Sequence, residues 1–259
     1  MAANGLARQR FRAATLMMLL TMSLAACGTG EASLPKKIAL LAPFEGQYRE
    51  IGYNALYALR LAFADAEPMN VQLLATDDGG TIASAIARVR ALNLDPAVAA
   101  IIAIGPLATH PAAQMANDKP LILIGNWGHD RADEDSLYAS DSYLAQTRQS
   151  GDRDMLAQTR ALAADPAKLR FYSSGSLPDE AFRQRYLNSA LYAPAPNLLA
   201  TLTYDIGRLA LSAIVDGAAI HATAYHGLTG RIRFEDGYWA DAPRNRFRYE
   251  GDRLIIDTG

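Results

Sequence analysis

Apolar and polar positions follow two different periods along the chain from residue 36 onward. Short continuous apolar runs, such as Ile38 to Ala42, are typical of strands buried on both faces. Longer segments between them carry apolar residues every three to four positions, which predicts amphipathic helices. The predicted strands cover 38–42, 71–75, 98–104 and 121–124. Continuous apolar strands separated by helices predict an α/β fold with a parallel sheet flanked by helices.

The helical segments show the alternation most clearly after the first two strands. The first helix should present Ile51, Leu56, Leu59 and Phe63, the second should present Ile82, Ile86, Val89 and Leu92, and a third should begin near Pro111. The segment 77–80, Asp-Asp-Gly-Gly, predicts a turn and the N-cap region of the second helix, because carboxylates favour helix N-termini. Ligands of such sheets bind where loops leave the carboxyl ends of the strands.

The first 26 residues carry a different pattern. Three arginines between residues 8 and 12 precede a largely apolar run over 13–26, which has the length of a secretory signal and is too short to span a bilayer as a mature helix. The run ends in Leu-Ala-Ala before Cys27, which resembles the lipobox of bacterial lipoproteins. In that family the cysteine sulfur is acylated and the signal is cut just before it. The alternative is an ordinary signal peptide with an incidental thiol.

These boundaries predict a lipoprotein signal peptide over 1–26, a lipidated tether over 27–35 and one α/β domain over 36–259. They also predict export and anchoring at Cys27 to the outer face of a bacterial membrane. Hydrophobic residues make up 50% and charged residues 20% of the chain, as in soluble globular proteins. The formal net charge of −2 gives no sign of nucleic-acid binding. A single cysteine excludes an intrachain disulfide.

The candidate chemistry favours a non-enzyme without a cofactor. The sequence has no Gly-x-Ser-x-Gly elbow and no phosphate-binding glycine loop. Its four histidines show no zinc-like spacing, so no metal site is predicted. Glu45 with Asp77 or Asp78 could form paired carboxylates at strand ends, but nothing in the pattern raises this pairing above chance.

Six blocks in order carry a resemblance to type I periplasmic binding proteins, the branched-chain amino acid receptor group of substrate-binding lipoproteins. The resemblance covers about residues 36–126 and 171–259. The blocks are KIALLAPFEGQYREIGYNALYALRLAFADA, DDGGTIASAIARVRAL, AVAAIIAIGPLATHPAA, FYSSGSLPDEAFRQRYL, LTYDIGRLALSAI and GLTGRIRFEDG. In this family two lobes close around a small ligand and present it to a membrane permease.

The chain departs from the family in its middle. Only 127–170 stands where the family builds a complete second lobe, which is expected to need about 100 residues or more. The segment contains an acidic Arg-Ala-Asp-Glu-Asp patch and two copies of Leu-Ala-Gln-Thr-Arg, and it has too few strand-like runs for a second parallel sheet. The resemblance therefore implies a fold with a reduced or missing second lobe.

The resemblance also implies a ligand half-site on three strand-end loops. Serine and threonine hydroxyls, which hold the ligand carboxylate in the family's amino-acid binders, are reduced to Thr109 here. The predicted ligand-binding residues are Phe44, Glu45, Gln47, Tyr48, Gly105, Pro106, Thr109, Gly125, Asn126 and Trp127.

Two functions remain open. The first is a solute-binding lipoprotein that captures an amino acid or a similar small polar organic ligand for a membrane permease or sensor. The second is a single-lobe interaction or regulatory lipoprotein of the cell envelope that has lost small-ligand binding. The pocket aromatics favour the first function, and the missing lobe and missing hydroxyls favour the second.

Overall fold

The computed structural model describes residues 34–125, 136–139, 170–243, 245–251 and 253–258. The described helices are α1 (Arg49–Ala66), α2 (Ile82–Leu94), α3 (Pro111–Gln114), α4 (Glu180–Asn188) and α5 (Leu198–Asp216). The described strands are β1 (Lys36–Ala42), β2 (Val71–Asp77), β3 (Val98–Ile104), β4 (Leu121–Ile124), β5 (Ser136–Ala139), β6 (Arg170–Ser173), β7 (Tyr225–Gly227), β8 (Gly230–Ile232), β9 (Phe234–Glu235), β10 (Tyr238–Trp239), β11 (Asn245–Glu250) and β12 (Arg253–Ile256).

The main sheet has the described strand order β2-β1-β3-β4-β5-β10-β9. All neighbouring pairs from β2 to β10 are parallel, and only β9 pairs antiparallel with β10. The chain runs from β1 outward to β2 and then returns to β3 on the other side of β1. This reversal is the switch point at which open α/β sheets bind their ligands.

The sheet is buried on both faces because its strands alternate between two apolar cores. Ile38 and Leu40 of β1 pack with α1 and α5 on one face. Ala39 and Leu41 pack with Val89 of α2 on the other face. All four β1 side chains have 0% exposure, which explains why the strand reads as a continuous apolar run.

The C-terminal part packs on this same lobe, as the sequence predicts. Helix α5 lies against α1, and Gly207 permits the approach, because a Cβ there would meet Leu59 Cδ2 at 2.5 Å. Helix α5 is long and apolar enough to cross a membrane, yet 78% of its most apolar 18-residue stretch is buried inside the fold. Among the described residues it is therefore a core helix. Strands β7 and β8 form the hairpin that carries Gly-Leu-Thr-Gly.

The structure differs from the sequence-based predictions at three places. Strand β5 was not predicted, and it extends the main sheet beyond β4. Helix α3 begins at Pro111 as predicted but ends within about one turn, at Gln114. The N-cap of α2 is Thr81, whose hydroxyl accepts the Ser84 N–H at 3.0 Å, because the carboxylates at 77 and 78 close the preceding turn instead.

The sheet that β6 joins is small and antiparallel. It has the order β12-β11-β6. No second parallel sheet is present among the described residues. Of the predicted excursion over 127–170, they include only β5 and the first residue of β6, so its boundaries stay a prediction.

Candidate functional site at the carboxyl edge of the sheet

The loops after β1, β2, β3 and β4 lie together at one edge of the sheet, because parallel strands all end on the same side. Two of these loops begin with a glycine in the left-handed region: Gly105 at φ +97° and Gly125 at φ +80°. A side chain would be strained at either position. These glycines turn the chain sharply as it leaves β3 and β4.

The loop after β1 is held by the end of β2. Asp77 Oδ2 accepts a hydrogen bond from the Phe44 N–H at 2.6 Å, and Asp77 Oδ1 accepts one from the Gly79 N–H at 2.7 Å. The Phe44 ring packs against Tyr53 of α1 with a centroid distance of 5.6 Å. Phe44 is half-buried, whereas Glu45 and Gln47 are exposed. The loop therefore has a fixed base and an accessible tip.

The loops after β1 and β3 touch directly. A Cβ on Gly105 would lie 2.9 Å from Pro43 Cδ, so only glycine allows this approach. Thr109 is 2% exposed, and its hydroxyl donates to the Gly105 carbonyl at 2.8 Å. Gln114 Nε2 donates to the Thr109 carbonyl at 2.6 Å. The one hydroxyl predicted to hold a ligand carboxylate thus donates its proton within its own loop.

Asp78 lies behind the same edge. It is 2% exposed, and its Oδ1 accepts the Gly80 N–H at 2.9 Å. Its Oδ2 is buried without a hydrogen-bond partner among the described residues. Burial raises the pKa of Asp78 above its ordinary value; the hydrogen bond from Gly80 opposes that rise, and the charge of Asp77 adds to it.

A cavity of about 360 Å³ lies farther along the edge, at the end of β10. Because β10 runs parallel to β5 and β5 runs parallel to β4, the residues after Trp239 are on the carboxyl side of the sheet. The volume falls within the range of small-molecule sites. The lining residues are Thr229, Gly230, Arg231, Arg233, Ala240, Asp241 and Pro243.

The two arginines of this cavity differ in their partners. Arg233 forms ion pairs with Glu235 and with Asp241, the latter at 2.7 Å. Arg231 is exposed, and no hydrogen bond or ion pair engages its guanidinium among the described residues. Its backbone is fixed, because Trp239 Nε1 donates to the Arg231 carbonyl at 2.9 Å. The cavity therefore offers one uncommitted cation on a rigid hairpin.

A buried carboxylate fixes the same hairpin to the core. Asp205 of α5 has 0% exposure. It accepts hydrogen bonds from the Leu228 N–H at 3.0 Å, the Thr229 N–H at 2.7 Å and the Thr229 hydroxyl at 2.6 Å. Gly227 lies beside it, because a Cβ there would meet Asp205 Oδ1 at 2.1 Å. Burial raises the pKa of Asp205, and these hydrogen bonds oppose the rise.

The structure thus brings the described members of the predicted set to one edge of the sheet: Phe44, Glu45, Gln47, Tyr48, Gly105, Pro106, Thr109 and Gly125. Asn126, Trp127 and the lipidation candidate Cys27 lie outside the described residues. Sequence reasoning missed Arg231, Arg233 and Asp241. The available signal was the Arg-x-Arg spacing after the glycine-threonine-glycine hairpin, which is also typical of a solvated strand. No group of three or more potential metal ligands occurs among the described residues.

No protein-family model matches the sequence, and no curated protein matches it. Solved structures do match in three dimensions. An extracellular ligand-binding receptor from Desulfohalobium retbaense aligns with a TM-score of 0.63 and 14% identity over 86% of this chain and 59% of that chain. A periplasmic binding protein from Burkholderia mallei aligns with a TM-score of 0.64 and 12% identity over 87% of this chain and 94% of that chain.

A third match bears on ligand chemistry. The substrate-binding protein of a branched-chain amino acid transporter from Streptococcus pneumoniae, solved with isoleucine, aligns with a TM-score of 0.57 and 14% identity over 86% of this chain and 99% of that chain. The chain has the fold of type I periplasmic binding proteins. The three matched structures are a ligand-binding receptor, a periplasmic binding protein and a transporter substrate-binding protein.

Proposed function

We propose that the chain is a lipid-anchored extracytoplasmic solute-binding protein that holds a small organic molecule carrying a carboxylate. The observation that carries the proposal is the cavity at the carboxyl edge of the sheet, with the uncommitted Arg231 guanidinium on its wall. Guanidinium groups bind carboxylates through paired, charge-assisted hydrogen bonds. The isoleucine bound to the S. pneumoniae protein carries such a group.

The cavity also suits a ligand that carries one positive and one negative group. Arg231 supplies positive charge, while Asp241, at 85% side-chain exposure, supplies a carboxylate that Arg233 holds in place. Ala240 and Pro243 contribute apolar surface. An amino acid or a similar small zwitterion matches this combination. A reduced second lobe leaves part of such a ligand in water, so we expect affinities of about 4 to 8 kcal/mol, from millimolar to micromolar.

Anchoring and delivery complete the proposal. The small residues before Cys27 support cleavage and acylation at that cysteine, which would hold the protein on the outer face of a bacterial membrane. A permease or a membrane sensor would then receive the ligand. The structural similarity to the S. pneumoniae protein, which serves a branched-chain amino acid transporter, supports a partner of this kind.

The test is a thermal-shift screen of amino acids, amides, short peptides and monocarboxylates at millimolar concentration, because a ligand specific for the folded state raises the melting temperature. Arg231→Gln should abolish the shift caused by a carboxylate, whereas Arg90→Gln, which removes an exposed arginine from α2, should leave it unchanged. Trp127→Ala should reduce the shift if the predicted half-site contributes an aromatic face. Equal shifts in Arg231→Gln and wild type would refute the assignment of the cavity.

One observation favours the second function, a single-lobe interaction module. The Thr109 hydroxyl already donates to Gly105, so the predicted half-site presents few free donors to a small ligand. If no compound raises the melting temperature and a membrane protein is recovered with the acylated chain under crosslinking, the interaction module replaces the solute-binding proposal.

A further inference from the structure

The amino edge of the main sheet, opposite the candidate site, consists of connected loops. The Lys36 N–H donates to the Asn70 carbonyl at 2.8 Å, and the Lys37 N–H donates to the Ala97 carbonyl at 2.7 Å. Asn93 Nδ2 donates to the Ala116 carbonyl at 2.7 Å. The loops that lead into β1, β2, β3 and β4 therefore form one continuous surface.

One highly exposed apolar side chain precedes each of β2, β3 and β4, either in the connecting loop or at the end of the preceding helix. Met69 is 87% exposed, Leu94 is 84% exposed and Met115 is 73% exposed. Val215, at 59%, lies in the last turn of α5, where the Ile214 carbonyl accepts a hydrogen bond from Lys36 Nζ at 3.5 Å. Single exposed apolar residues are ordinary, but these four border the same edge.

The charges of this edge are close to balanced. Lys37 pairs with Asp95 at 2.8 Å. The remaining lysines of this edge, Lys36 and Lys119, are accompanied there by the carboxylates at 67, 118 and 216. An occupant attracted by net charge is therefore disfavoured. A bilayer interface accepts apolar side chains without requiring a net charge, and interfacial binding grows with the apolar area inserted.

The chain enters the fold at this edge. Strand β1 begins at Lys36, and nine peptide bonds separate it from Cys27, a span of about 30 Å at most. A lipid on Cys27 would keep the amino edge close to the bilayer at a high effective concentration, so that weak apolar contacts suffice.

We propose that the amino edge docks on the bilayer surface through Met69, Leu94, Met115 and Val215, which turns the carboxyl edge and its cavity away from the membrane. The inference rests on the proposed acylation of Cys27, but not on the identity of any ligand. A strand of seven residues such as β1 spans about 23 Å between the two edges of the sheet.

Methionine oxidation tests the docking directly, because peroxide converts exposed methionines to sulfoxides. The full acylated protein, with its lipid verified by mass, is placed on phosphatidylcholine vesicles and compared with acyl-free mature protein in solution, which is made without residues 1–26 and carries Cys27→Ser. Both carry Leu191→Met as a reference, since Leu191 is 86% exposed in the connection before α5, which begins at the opposite edge. Docking predicts oxidation of Met69 and Met115 about fivefold slower on vesicles, with the reference methionine unchanged.

A double variant separates docking from crowding near the vesicle. Leu94→Ser with Val215→Ser removes two exposed contacts without touching the core, and it should restore fast oxidation of Met69 and Met115 in the anchored protein. Wild-type oxidation rates that are equal on vesicles and in solution would overturn docking while leaving the acylation intact. If Met69 and Met115 of the acyl-free protein oxidise more slowly as the protein concentration rises, the edge binds a second copy of the chain. That result would overturn the bilayer as its occupant. A mass without lipid would overturn the anchor and this inference together.

Discussion

Asp77, the last residue of β2, accepts the backbone N–H of Phe44 at 2.6 Å and so ties the loop after β1 to the neighbouring strand. The same carboxylate accepts the Gly79 N–H through its other oxygen. One side chain thus fixes the bases of two strand-end loops. Because its carboxylate holds the loops after β1 and β2, Asp77 is a positioning residue for the candidate site.

Asp77→Ala should lower the free energy of unfolding by about 1 to 3 kcal/mol, because two backbone N–H groups lose their acceptor. Asp77→Asn keeps one acceptor oxygen and should cost less. Urea denaturation of both variants measures the difference. Faster hydrogen exchange at Phe44 in the alanine variant would confirm that the loop itself is released; unchanged exchange there would contradict the positioning role.

Thr229 anchors the hairpin next to the cavity, so its hydroxyl should matter for stability. Thr229→Val removes the 2.6 Å hydrogen bond to Asp205 and should cost about 1 to 3 kcal/mol, since the carboxylate stays buried with one donor fewer. Thr229→Ser retains the hydroxyl and serves as the matched control. A valine variant as stable as wild type in urea would show that this bond makes no net contribution.

Asp78 should make stability depend on pH. The pKa of Asp78 is raised in the folded state. Its contribution to the free energy of unfolding is therefore complete below the pKa of the unfolded state and is lost as the pH rises through the pKa of the folded state. Asp78→Asn is neutral at every pH and lacks this loss. Between about pH 4 and pH 7, the melting temperature of Asp78→Asn should therefore rise relative to that of wild type as the pH increases. Glu67→Gln, a change at an exposed surface position, should show the same pH dependence of the melting temperature as wild type.

Cys27→Ser should leave the precursor uncut at this site and without lipid, because serine forms no thioether. Intact-mass measurement and membrane fractionation of the exported protein check both points. A variant that still partitions with membranes after signal cleavage would contradict the lipoprotein interpretation.

Thr109→Val should destabilise the loop after β3, because the Thr109 hydroxyl donates to the Gly105 carbonyl inside a buried turn. Thr109→Ser keeps the donor and should behave like wild type in thermal unfolding. If both variants leave stability unchanged but only valine weakens ligand binding, the hydroxyl serves the ligand rather than the loop.

The parts of the fold that the sequence predicted are those set by local burial. Ile38 to Ala42 is a continuous apolar run because the strand is covered on both faces, and that run requires no knowledge of its partners. Strand β5 has only four residues, Ser-Leu-Tyr-Ala. Its strand conformation depends on pairing with β4 and β10, so its own sequence gives only a weak signal.

The candidate site divides in the same way. Loops after buried strands are predictable, since their location follows from the parallel sheet. The free guanidinium of Arg231 is not predictable, because in sequence it is indistinguishable from Arg233, which Glu235 and Asp241 neutralise. Likewise, only the structure shows that Thr109 donates back to its own loop.

Helix α5 covers one face of a sheet whose first four strands end by residue 124, although the helix itself begins at Leu198. A chain that leaves the ribosome N-terminus first therefore carries Ile38, Leu40 and Ile102 without the part of their cover that α5 supplies until more than 200 residues have been made. The apolar surface that such a nascent chain exposes makes it prone to aggregation and a client for chaperones. Truncations that end before Leu198 should be protease-sensitive, and those that extend past Trp239 should be resistant.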